Sequence, residues 1–151
     1  MRAVIQRAKS ASVIINNVKT AEISNGMVAF VAFSRDETDK SISYTLEKII
    51  GLRIFEDENE KMNLSVKDVS GEVLFVPNFT LYGDVTHGKR PGFDKSAPPS
   101  VAAVLFDDFV KRVNASEIGE KVRFGTFQAD MTILVENDGP VTILVDSDKN
   151  F

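Results

Sequence analysis

The sequence predicts an α+β fold in which a mainly antiparallel, barrel-like sheet carries two amphipathic helices. Three observations lead there. Roughly eight or nine short runs rich in Val, Ile and Phe are separated by turns of Asn, Gly and Pro. Two stretches place their apolar residues at helical spacing. Strands and helices do not alternate regularly, which argues against a doubly wound parallel sheet. The chain has 151 residues. We expect one domain over residues 1–151, burying roughly 70% of the surface its unfolded chain exposes.

Arg2 to Ala8 reads as a well-buried first strand and Ser10 to Ile15 as a second. Asn16-Asn17 reads as a turn, because asparagine tolerates left-handed backbone angles, and Val18 to Ile23 pairs back. Asn25-Gly26 is the strongest short hairpin signal in the chain. Met27 to Phe33 is apolar throughout, as expected of a strand buried on both faces. Asp36-Glu37-Thr38-Asp39 opens a helix with the acidic residues that its dipole favours. Ile42, Leu46, Ile49 and Ile50 form its apolar stripe, and Gly51 stands at or near its end. Leu52 to Phe55 is a short extended segment, and Glu56 to Lys61 an acidic, solvated turn.

Glu72 to Val76 is a core strand, entered through Ser70-Gly71 and stopped by Pro77. Asp84 to Pro99 is the longest stretch without a periodic pattern, and such loops in compact domains serve function or motion. Ser100 is expected to cap a second helix, with Val101, Val104, Leu105, Phe109 and Val113 as its stripe and an end near Asn114. Val122 to Phe127 and Met131 to Val135 are strands. Asn137-Asp138-Gly139-Pro140 then reads as the tight turn of a hairpin that returns through Ile143 to Val145. A bond before proline is held cis at a cost of only about 0.5–1 kcal/mol. Glycine before it also takes backbone angles that other residues avoid.

Composition narrows the chemistry. The chain has no cysteine, which excludes disulfides and thiolate metal sites and fits a reducing cytosol. It has one histidine, His87, so a histidine-rich metal site or a Ser-His-Asp triad would have to be built around that residue. No apolar run reaches the roughly 18 residues that span a membrane. The opening Met1 to Arg7 is too short and polar for a secretory signal. A net charge of −4 argues against coating long nucleic acid. It leaves open a grip on the tip of an RNA.

His87 sits among Thr86, Gly88, Lys89 and Arg90 in the long loop and reads as a surface residue rather than a general base. The carboxylates, such as Asp107-Asp108 and Glu56-Asp57-Glu58, have no spacing diagnostic of acid–base work. There is no phosphate loop of the usual spacing and no metal constellation. That leaves Asn78-Phe79-Thr80, where the chain leaves a buried strand through Pro77. The plain reading is a strand end with a buried Phe. The functional one takes the backbone amides of Phe79 and Thr80 as donors to a developing oxyanion. Thr80 is a second candidate as nucleophile, but the sequence supplies no obvious base for it.

At this point the residues resemble a family. Asn78-Phe79-Thr80-Leu81, Arg90-Pro91-Gly92-Phe93 and Asn137-Asp138-Gly139-Pro140-Val141-Thr142 look like the D-aminoacyl-tRNA deacylases, also called D-tyrosyl-tRNA deacylases. Met1 to Ala8, Leu52 to Phe55, Lys61-Met62-Asn63 and Gly125 to Met131 are similar too, so the resemblance runs essentially end to end. It implies a cytoplasmic, homodimeric, β-rich hydrolase without a cofactor or metal. Its substrate is the 3′ end of aminoacyl-tRNA, from which it cleaves D-amino acids. It further implies a cis Gly139-Pro140 bond that reaches into the neighbouring subunit's active site. There its carbonyls block an L side chain, while achiral glycine passes, so glycyl-tRNA is an expected substrate.

By the same resemblance Arg7 holds that motif. Met131 and Phe93 join the substrate site, and Lys89 and Arg90, with Lys95, are candidate phosphate contacts. Asn78, Phe79 and Thr80 are the catalytic candidates. The reading we adopt uses backbone amides there, with the RNA's own 2′-hydroxyl assisting water. One departure stands out: Pro77-Asn78 occupies the place where the family usually has Ser-Gln. Two other readings stay open. One is a non-catalytic binder of tRNA ends, and the other an aminoacyl esterase with relaxed chirality.

Overall fold

A computed structural model of the chain describes residues 1–150; of the expected 1–151 domain, only Phe151 lies outside the described residues. The fold is α+β, with two helices on a nearly closed, barrel-like sheet. Its strands are β1 (Arg2–Ile15), β2 (Val18–Ile23), β3 (Gly26–Ala32), β6 (Glu72–Pro77), β7 (Val122–Phe124) and β8 (Thr132–Asp146). The helices are α1 (Asp39–Gly51) and α2 (Pro99–Asn114), and β4 (Phe55–Glu56) and β5 (Met62–Leu64) make a separate ribbon.

The sheet is mixed, antiparallel around β1 and parallel from β3 to β7. β1 pairs antiparallel with β2, β3 and β8, but β3 pairs parallel with β6, and β6 parallel with β7. The cause is connectivity. α1 and the ribbon carry the chain from β3 to β6, and α2 carries it from β6 to β7, so both connections are crossovers. The sequence conceals them because the ribbon and the long 84–99 loop interrupt the alternation.

β1 is one long strand, not two. The Asn16-Asn17 turn forms as expected, with both residues at positive φ (49° and 62°). Asn25-Gly26 makes no hairpin, because β2 and β3 lie in succession along the same strand, β2 on Ala11 to Ile15 and β3 on Arg2 to Ala8. Gly26 serves close approach instead: a Cβ there would stand 1.9 Å from the Glu72 carbonyl oxygen. β7 stops at Phe124, short of the expected Phe127.

Two apolar clusters sit on opposite faces of the sheet, as strand alternation requires. Ala3, Ile5, Met27, Ala29, Val31, Val73 and Phe75 face the helices, where Phe75 meets Phe109 edge-on at 5.2 Å. Ala8, Val13, Ile23, Val28, Leu74 and Val76 fill the inside of the curl. The α1 stripe is as expected, Ile42, Leu46, Ile49 and Ile50, with Thr45 beside them. Each buried aliphatic side chain there contributes roughly 1.5–3 kcal/mol. Thr38 caps α1 through the Ser41 N–H at 3.2 Å.

α2 departs from expectation in two ways. It begins at Pro99 after Pro98, so Ser100 lies inside its first turn, since proline's fixed φ suits that position. Its buried face is Ala102, Phe106, Phe109 and Val113, while Val101 and Val104 are exposed. The larger aromatic side chains outcompete the valines for the core.

Candidate active site

Because β3, β6 and β7 are parallel, their carboxyl ends, Ala32, Pro77 and Phe124, share one edge of the sheet. A cleft of about 970 Å³ opens there. Its walls come from the segments that follow those strands: Phe33 and Arg35, then Asn78, Phe79 and Thr80, then Phe127 to Met131. Open α/β sheets place ligands at strand ends for the same reason.

The floor is built by a local rule. Asn78 extends the parallel ladder by one bond, its N–H donating to Val31 O at 2.8 Å. The chain then turns through a 3-10 helix, Phe79–Tyr82, capped by the Asn78 side chain. Asn78 Oδ1 accepts from Thr80 N (3.2 Å) and from Thr80 Oγ1 (2.6 Å). Two consequences follow. The Thr80 N–H expected as an oxyanion donor is already engaged, and the Thr80 hydroxyl gives its proton to an amide, not to a base. Because Oδ1 faces two donors, Nδ2 is the free end of the Asn78 amide. Neither it nor the Phe79 N–H has a hydrogen-bond acceptor within the described residues.

Arg2 closes the far end of the turn, donating to Leu81 O at 3.1 Å and pairing with buried Asp146 at 3.2 Å. Its guanidinium also lies 4.7 Å over the Tyr82 ring. Burial, aided by the charges of Glu37 and Asp146, pushes the Tyr82 phenol above its ordinary range, so it supports the turn as a neutral group.

Phe79 is not the buried Phe of the plain reading. It is 56% exposed at the mouth and meets Phe93 edge-on at 5.1 Å. Phe93 is held out by a loop that is pinned despite its composition. Asp84 and Gly92 exchange N–H···O bonds of 2.8 and 2.9 Å, and Arg35 N donates to Lys95 O at 2.9 Å. Hydrogen bonds from Thr86 hold the Asp84 carboxyl below the usual range.

The structure therefore brings Asn78, Phe79, Thr80, Phe93 and Met131 into one cleft. Lys89 and Arg90 lie on the exposed part of the loop and do not line it, and neither does His87. Sequence reading missed Arg35, Gln128 and Asp130, which do. Arg35 follows an apolar strand just as Asn78 does, and that position was the available signal. Gln128 carries a positive φ of 60°, which no residue pattern announces.

Gly139 and Pro140 are elsewhere. The segment is not the tip of a hairpin, because both of its flanks pair with β1. The register runs from Ala8↔Asn137 to Gln6↔Thr142, so Asp138, Gly139, Pro140 and Val141 stand opposite Arg7 alone and bulge out of the ladder. The Gly139-Pro140 bond is cis, and Gly139 has φ +124°. Both residues are exposed and lie outside the cleft of their own chain. Arg7, 6% exposed, holds the bulge. Its Nε donates to Asp138 O (3.3 Å) and lies 3.1 Å from Asp138 Oδ2, while Nη1 donates to Ile54 O at 2.7 Å.

The buried arginine, the bulged Gly-Pro and the capped turn all fall within residues 4–146, which match a family model described as D-Tyr-tRNA(Tyr) deacylase. The chain belongs to this family. Relatives named D-aminoacyl-tRNA deacylase include those of Thermotoga petrophila (49% identical) and Koribacter versatilis (50%), each aligned over 151 residues and the whole of both chains. A solved structure named c-Myc DNA Unwinding Element Binding Protein superposes with TM-score 0.92 at 34% identity, covering 97% of this chain and 98% of that one. A probable eukaryotic D-amino acid tRNA deacylase shares the fold, with TM-score 0.79 at 21% identity over 95% of this chain and 97% of that one. Among the described residues, no group of His, Cys, Asp and Glu is arranged to hold a metal, and no helix is long and apolar enough to cross a membrane.

Proposed function

We propose that this deacylase hydrolyses the ester joining a D-amino acid to the 3′ end of tRNA, acting in the cytoplasm. The observation that carries the reading is the full-length match to relatives named for that activity. The acidic charge of −4 favours a grip on an RNA end over the DNA-element binding for which the 34%-identical solved structure is named.

The mechanism assigns the carbonyl oxygen of the ester to the Phe79 N–H and Asn78 Nδ2, the two donors left unpaired at the cleft floor. Water, assisted by the ribose 2′-hydroxyl, adds to the carbonyl carbon. The bond to the ribose 3′-oxygen then breaks and that oxygen takes the proton, releasing amino acid and tRNA. Oriented donors of this kind are worth about 10²–10³ in rate. Thr80 serves by holding Asn78. Phe93 and Met131 flank the acyl-adenosine, and Lys89, Arg90 and Lys95 meet phosphates. The chain works as a homodimer in which Gly139-Pro140 enters the partner's cleft and excludes L side chains, so glycyl-tRNA is also cleaved. The exposure of the bulge outside its own cleft supports that arrangement.

Incubation with D-Tyr-tRNA and L-Tyr-tRNA tests the activity, with preferential release of the D-amino acid expected. Equal release would favour the relaxed esterase, and binding of an aminoacyl-adenosine analogue without turnover would favour the non-catalytic binder. Sedimentation tests the architecture, and a fully active monomer would overturn it.

A further inference from the structure

We propose that Asn137 is a specificity-determining positioning residue, whose side-chain amide clamps the base of the Gly139-Pro140 bulge. The proposal rests on the reading of that bulge as the chirality filter.

Where a strand leaves its ladder, its backbone groups need other partners. Asn137 supplies them to Val141: Nδ2 donates to Val141 O at 3.2 Å, and Oδ1 accepts from Val141 N at 3.1 Å. One planar amide thus reproduces the paired donor and acceptor of a neighbouring strand and joins the two ends of the bulge. Arg7 does not duplicate this, because its hydrogen bond and ion pair within the bulge are both to Asp138, the first limb. Val141, the second limb, packs partly buried against the core beneath the helices. The clamp transmits that anchorage across the exposed dipeptide. Without it, the two anchored limbs lose the direct link that sets their separation, and a filter that acts by steric exclusion loses its edge when it moves.

Aspartate is a discriminating isostere. Its carboxylate accepts from the Val141 N–H but has no donor for the Val141 carbonyl. The test is kcat/KM on D-Tyr-tRNA and L-Tyr-tRNA for wild type, Asn137→Ala, Asn137→Asp and Pro140→Ala. Each Asn137 variant is expected to lower the D-to-L ratio by roughly tenfold or more, mainly through faster L cleavage, with D cleavage within about threefold of wild type. Parallel slowing of both substrates, with the ratio unchanged, would mean a merely structural role and overturn the proposal. If Asn137→Ala does not fold, Asn137→Asp carries the same criterion. If Pro140→Ala lowers the ratio while the Asn137 variants leave it, the clamp is wrong and the filter stands. If Pro140→Ala also leaves it, the filter reading itself falls, and the clamp with it.

Discussion

The turn at Asn78–Tyr82 and the bulge at Asn137–Val141 are built from the same parts. Each begins with an asparagine whose Oδ1 accepts a backbone N–H further along, from Thr80 in one and Val141 in the other. Each has a carbonyl held by an arginine of β1, Leu81 O by Arg2 and Asp138 O by Arg7. They differ in where they point. Arg2 and Arg7 project from opposite faces of β1, since their positions differ by an odd number of residues in a regular ladder with β3. One turn floors its own chain's cleft, and the other stands exposed outside it. A single strand thus sets the register of both. Under the proposed function, that difference is a division of labour, with donors on one face and exclusion on the other.

That division predicts mutations that separate rate from selectivity. The largest effect is expected at Asn78. Asn78→Ala removes a free donor and leaves the Thr80 N–H and hydroxyl without their acceptor. It should lower kcat/KM on D-Tyr-tRNA by about 10²–10³, at a stability cost near 1 kcal/mol for the lost cap. The D-to-L ratio should hold. A collapse of that ratio would erase the distinction between the two turns.

Gly139→Ala should do the converse. A Cβ there would lie 2.8 Å from Val141 Cγ2 and 3.1 Å from Val141 N, at a φ of +124° that side chains rarely adopt. We expect a loss of about 1–3 kcal/mol in urea unfolding and a fall in D-to-L ratio larger than the fall in D cleavage. An unchanged ratio with reduced stability would count against the filter.

The arginines give a smaller, paired effect. Lysine lacks the planar fork that lets Arg7 reach both Ile54 O and Asp138. Arg7→Lys should relax selectivity several-fold, whereas Arg2→Lys should slow both substrates together. Reversed outcomes in steady-state assays would reassign the two braces.

The two turns were also unequally legible. Asn78-Phe79-Thr80 announced itself as a strand exit after Pro77, and its cleft lies where parallel strands end. The crossovers that make those strands parallel were hidden behind the β4–β5 ribbon. The Gly-Pro segment is visible as a motif, but its flanks read locally as a hairpin. Apolar runs on both sides of a turn look the same whether they pair with each other or with a third strand, and only the register with β1 decides. Asn25-Gly26 failed for a related reason, as its glycine answers to the Glu72 backbone and not to a tight turn. In α2, helical spacing alone could not rank Val104 against Phe106, because both fit a stripe and volume chooses between them. The Asn137 clamp links positions four apart through one side chain, a contact no periodicity encodes.

The smallest effect is expected at Thr80, and it decides what kind of catalyst the floor turn is. The Thr80 hydroxyl donates to Asn78 Oδ1 at 2.6 Å, so in this geometry it orients the amide and is not itself activated. Thr80→Val keeps the shape and the N–H bond to Asn78 while deleting the hydroxyl. The Asn78 amide then retains one of its two anchors, and kcat should fall by no more than about tenfold, the worth of one hydrogen bond. Thr80→Ser, which restores the hydroxyl, should recover most of that loss. A covalent mechanism predicts otherwise: Thr80→Val would be inactive while folded, and pre-steady-state assays of the wild type with substrate in excess would show a burst of released tRNA as acyl-enzyme accumulates. Without a burst and with modest loss in Thr80→Val, the chemistry belongs to the Phe79 N–H and Asn78 Nδ2, and Thr80 is to Asn78 what the core-anchored Val141 is to Asn137.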